Sequence, residues 1–74
     1  MNLTEREREV IIQIVEGKTY REIASELFVS INTILTHRKN IKSKLGVRSS
    51  AGIVREAINQ GYFEFTKYRR VNPL

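Results

Sequence analysis

Asn32, Leu35, Thr36 and Lys39 follow the i, i+3, i+4, i+7 spacing that puts side chains on one side of a helix. With Ile34 at zero and 100° per residue, Lys39, Asn32 and Thr36 fall at about 140°, 160° and 200°. Ser43 lies among them, and Leu35 and Lys42 flank one edge. Ile34, Ile41 and Leu45 gather on the opposite side, which marks the core face. The outer face therefore offers an amide, hydroxyls, an ammonium and a branched apolar tip. Those groups can recognise base edges in a major groove: Lys at guanine O6 or N7, Asn at adenine, Thr or Leu against a thymine methyl. A single exposed leucine is also ordinary on a surface, so Leu35 fits either role.

Charge favours a polyanion as the partner of this face. The net charge is +5, from 13 Lys and Arg against 8 acids, and the excess is local. Residues 1–30 carry six Glu against four basic residues, whereas residues 31–50 carry Arg38, Lys39, Lys42, Lys44 and Arg48 with no acid at all. Solvated helix faces usually interleave both signs, and this one does not.

Capping residues mark the elements that position the face. Thr4 with Glu7 and Thr19 with Glu22 form T-x-x-E capping boxes. The first helix is expected to run to about Glu16, with Val10, Ile11, Ile14 and Val15 inward, and the second to about Phe28, burying Ile23, Ala24 and Leu27. Ser30 caps a third helix that ends at Gly46. Ser49 caps a fourth, carrying Val54, Ala57 and Ile58 and stopping at Gly61. Only Phe28, Val29 and Ser30 separate the second helix from the third. A connection that short is the mark of a helix-turn-helix, though short loops also occur in ordinary bundles. Phe28 takes the first turn position, where glycine is the usual residue. The expected fold is all-α, a compact four-helix domain containing a helix-turn-helix.

Around the groove-facing side chains, helix starts and basic residues are candidates for phosphate. Thr19 and Arg21 open the second helix, Thr33 lies in the first turn of the third, and Lys44 and Arg48 close the basic segment. Each can equally be a cap or a surface charge. His37 lies between core and solvent, where packing suits it better than metal binding, and Arg38 leans toward the core side.

Composition narrows the function classes. There is no Cys and no Asp, and there is one His, so no nucleophile–base constellation can be assembled, a thiolate metal site is excluded, and the lone His is a poor metal candidate. No cofactor motif is present. The longest apolar run is Val10–Ile12, far short of the ~18 residues that span a bilayer, which with the lack of cysteine suggests a cytoplasmic protein without a membrane role. A core this small makes self-association a natural supplement.

The stretch LTEREREVIIQIVEGKTYREIASELFVSINTILTHRKNIKSKLGV, Leu3 to Val47, resembles the LuxR-type helix-turn-helix of bacterial transcription regulators. That pattern runs L-T-x-R-E-x-E-V, then G-x-[ST]-x-x-E-I-A-x-x-L-x-[VI]-S and T-[VI]-x-x-H-x-x-N-I-x-x-K-L-G-V. The resemblance implies a double-stranded DNA-binding domain over residues 3–65, followed by a basic tail at 66–74. By position, Leu35, Thr36 and Lys39 match base-facing sites, and Thr19, Arg21, Thr33 and Lys44 match backbone-holding sites. Val54, Arg55 and Ile58 lie on the helix that pairs two such domains, which implies a homodimer, with RNA polymerase as a further candidate partner. The chain departs from the pattern at Ser50, where the family carries a phosphate-touching Arg, and at Gly52-Ile53, where it favours a small Ala. A sigma-factor-like promoter reader and a helical module binding an acidic protein are the alternatives to a regulator of this type. The chain reads equally as a complete minimal regulator or as the end of a longer one.

Overall fold

The computed structural model describes residues 2–61. The domain end expected at 65 and the basic tail lie outside them. Four helices occur among the described residues: α1 (Glu5–Val15), α2 (Tyr20–Leu27), α3 (Ile31–Leu45) and α4 (Ser50–Asn59). Each begins where cap chemistry places it. Thr4, Thr19, Ser30 and Ser49 are the N-caps, each accepting from the backbone N–H three residues on. At α1 and α2 the box closes reciprocally, with Glu7 and Glu22 accepting from the cap N–H.

The ends of α1, α2 and α3 share one design. In each, a residue with positive φ donates its N–H three residues back, and the next residue donates five back. Gly17 and Lys18 do this at α1, Gly46 and Val47 at α3, and Phe28 and Val29 at α2. Phe28 thus occupies the position that glycine holds in the other two. Its φ of 59° and ψ of 43° are left-handed, a conformation that costs an L-residue about 1–2 kcal/mol. Its ring is 93% exposed, so no packing repays that cost.

α3 is the central element and packs against α1, α2 and α4. Its Ile34, Ile41 and Leu45 enter one core with Leu3, Val10, Ile11 and Ile14 from the N-terminal segment, and Ile23 and Ala24 from α2. α4 contributes Gly52, Ile53 and Ala57. On α4 Ile53 is wholly buried and Val54 partly so, while Ile58 is exposed. Gly52 sits where α4 comes close to the chain that precedes it. A Cβ placed there would lie 2.9 Å from the Val47 Cβ, so the missing side chain lets α4 close against the α3–α4 connection.

Two substitutions test these points by chemical denaturation. Gly52→Ala should lower stability by about 1–2 kcal/mol, because overpacking outweighs alanine's better helix propensity. Phe28→Gly should raise it by about 0.5–1 kcal/mol, the relieved strain less the added unfolded-state entropy.

Candidate nucleic-acid interface

The outer face of α3 is open. Asn32, Leu35, Thr36 and Lys39 are all exposed, and Ser43 continues the same side. Behind them Ile34 and Ile41 are wholly buried, so the face cannot rotate without unmaking the core. Among the described residues no carboxylate pairs with Lys39 or Lys42. Two cations of the N-terminal half are paired instead: Arg6 with Glu9 at 3.0 Å, and Lys18 with Glu26 at 2.7 Å and Glu16 at 3.5 Å. Such exposed pairs stabilise little, but they cancel charge on the side that carries them.

The residues expected to reach phosphate are placed as follows. Thr19 caps α2; its oxygen accepts from the Glu22 N–H at 3.1 Å, leaving the hydroxyl proton to donate outward. Arg21, one turn-position inside α2, is exposed, as is Arg48 between α3 and α4. Thr33 is half-buried and shares a 3.0 Å hydrogen bond with the Ser30 hydroxyl.

Lys44 is engaged within the fold. Its Nζ donates to Glu7 Oε1 and to the Asn2 carbonyl, both at 2.8 Å. The Glu7 side chain is only 5% exposed, and the same oxygen accepts from the Thr4 N–H at 3.0 Å. One carboxylate therefore caps α1 and anchors the C-terminal end of α3. Burial by itself would raise the Glu7 carboxyl. The Lys44 hydrogen bond, the Thr4 N–H and the Lys44 charge outweigh it, with a lesser contribution from His37, and hold the carboxyl below its ordinary value. Two of the three ammonium protons of Lys44 are used, and the third is available to a ligand.

A second polar joint was not evident from the sequence. Tyr20 Oη and Ser50 Oγ lie 2.6 Å apart, and Arg38 Nε donates to the same Ser50 oxygen at 3.1 Å. The Arg38 guanidinium also sits over the Tyr20 ring, 5.4 Å from its centroid. Ser50, a departure from the family pattern, thereby ties α2, α3 and α4 together. The only advance signal was the core-ward lean of Arg38. Val54, Arg55 and Ile58 follow one another along α4, half-buried, exposed and exposed respectively.

A family model described as bacterial regulatory proteins, luxR family, matches residues 1–57. The chain belongs to the LuxR family of bacterial regulators. It is a helix-turn-helix domain of the DNA-binding, transcription-regulating kind. The spore germination protein GerE of Bacillus subtilis is 47% identical over 62 residues, covering 84% of both chains. The transcriptional regulatory protein MctR of Rhizobium johnstonii is 46% identical over 59 residues, 80% of this chain but 28% of its own length. This LuxR-type chain thus spans under a third of MctR. The crystal structure of the response regulator ChrA, from a heme-sensing two-component system, superposes with a TM-score of 0.82 at 33% identity. The match covers 85% of this chain and 31% of ChrA. The VqmA dimer of Vibrio cholerae gives 0.80 at 31% identity, over 82% of this chain and 28% of that one. No described helix is long and apolar enough to cross a membrane, and no described cluster of His, Cys, Asp or Glu could hold a metal ion.

The Glu7–Lys44 pair gives a pH-dependent expectation. A carboxyl whose folded pKa is lowered stabilises the fold above its unfolded value, about 4.3 for Glu, and that contribution is lost as pH falls through the lower folded value. Glu7→Gln should flatten the stability–pH curve below about pH 4.3. Lys44→Met should cost about 1–3 kcal/mol at neutral pH, by stranding the buried carboxylate. Thermal melts across pH check both.

Proposed function

We propose that this domain regulates transcription by binding double-stranded DNA with α3 in the major groove, without catalysis. The observation that carries this reading is the open, acid-free face of α3, held outward by the wholly buried Ile34 and Ile41. Asn32, Leu35, Thr36 and Lys39 meet base edges in this arrangement. Thr19, Arg21, Thr33, Arg48 and the remaining proton of Lys44 hold phosphates on either side. Ser30 and Thr33 stand at the N-terminal end of α3, where the helix dipole also favours an anion.

Two copies pair through α4 in the same proposal. Ile58 is 41% exposed on that helix, beside Val54 and Arg55, and burying it in a second copy would remove apolar surface from water. RNA polymerase is a further partner under this reading, and the cytoplasm, where bacterial DNA lies, is the place of action.

Binding to a selected duplex at several salt concentrations tests the assignment. Lys39→Ala should weaken the selected site by about 1–3 kcal/mol and relax preference at one base pair. Arg21→Ala should lower affinity evenly across sequences and reduce the log–log salt slope by about 0.9. Unchanged binding of Lys39→Ala on every sequence would remove α3 from the groove.

A further inference from the structure

Ile31 is the first residue of α3, and it is 36% exposed. Leu35, one turn on, is 41% exposed. On the wheel they lie at about 60° and 100°, adjacent along one edge of the outer face. Neither belongs to the buried core. α1 and α2 place Glu in their first turns, where a carboxylate stabilises the helix dipole, whereas α3 has no acid there and opens with Ile31, Asn32 and Thr33. A β-branched residue at that position adds no helix propensity in exchange.

The surroundings select the occupant of this apolar edge. Lys39 and Lys42 border it, and no described carboxylate pairs with either. An apolar protein helix laid here would cover those ammonium groups without partners. A DNA groove instead presents phosphates to the lysines and a methyl group at each thymine to the side chains.

We propose that Ile31 and Leu35 together read two thymine methyls, so that the operator carries A·T pairs at both positions. The inference rests on the DNA-binding reading above and adds Ile31 as a specificity-determining residue. Four residues of helix rise about 6 Å, against about 3.4 Å per base pair, so the two thymines stand about two base-pair steps apart.

The test uses the whole chain and a duplex selected from random sequence. Each thymine of the selected site is replaced singly by deoxyuridine, which deletes the 5-methyl group and keeps every Watson–Crick and groove hydrogen bond. Deoxyuridine at either of two thymines in each half-site should weaken wild-type binding about fourfold, the worth of one buried methyl. Leu35→Ala should abolish the penalty at one of them and Ile31→Ala at the other. Both side chains are exposed, so the variants keep the fold, and a thermal melt verifies it. A selected site with equal affinity in its thymine and deoxyuridine forms would overturn the methyl reading while leaving DNA recognition standing. Failure to select any site would overturn both. A penalty unaffected by Ile31→Ala would remove Ile31 from the proposal.

Discussion

In a described core this small, α3 must serve as both the central packing element and the surface that meets a ligand. Ile34, Ile41 and Leu45 lock one side of it against the other three helices. That locking determines which side chains are left for solvent. Because Ile34 and Ile41 are wholly buried, the angular position of Asn32, Leu35, Thr36 and Lys39 follows from apolar packing and needs no contact of their own. The α2–α3 joint belongs to the same constraint. Its three residues turn the chain from α2 into α3 with Phe28 in a left-handed conformation.

The polar contacts reinforce that geometry at two points. Near the C-terminal end of α3, Lys44 is held by Glu7 and the Asn2 carbonyl. Toward the middle, Arg38 is held by Ser50 and lies over Tyr20. These two cations make contacts within the fold, Lys44 with two of its three protons, while Lys39 and Lys42 have no described acidic partner. The positive charge of α3 thus divides into a structural share and an outward share. A buried ion pair is weak evidence for stability in itself, but breaking one is costly, so Lys44 fixes the register of α3 on α1.

Much of this was legible in the sequence because its causes are local. Thr4, Thr19, Ser30 and Ser49 cap the helices they were expected to cap, since an N-cap needs only its own hydroxyl and an N–H three residues on. The inner and outer faces of α3 follow from helical period alone. What escaped the sequence depends on distant partners. Lys44 and Glu7 are 37 residues apart, and Tyr20 and Ser50 are 30 apart, so no local pattern announces either contact. Gly52 looked like a departure from the family and is the point of closest approach between α4 and Val47. Ile53 beside it is wholly buried, while Ile58 stays exposed.

The claim that α3 meets DNA through its acid-free face is tested most directly by amide chemical-shift mapping during titration with a selected duplex. The account predicts the largest changes from Ser30 to Lys39 and at Thr19 and Arg21, with little at Ile12, Glu16 and Glu26 around the paired Lys18. Changes concentrated at Ile12, Glu16 and Glu26, with α3 unmoved, would contradict it.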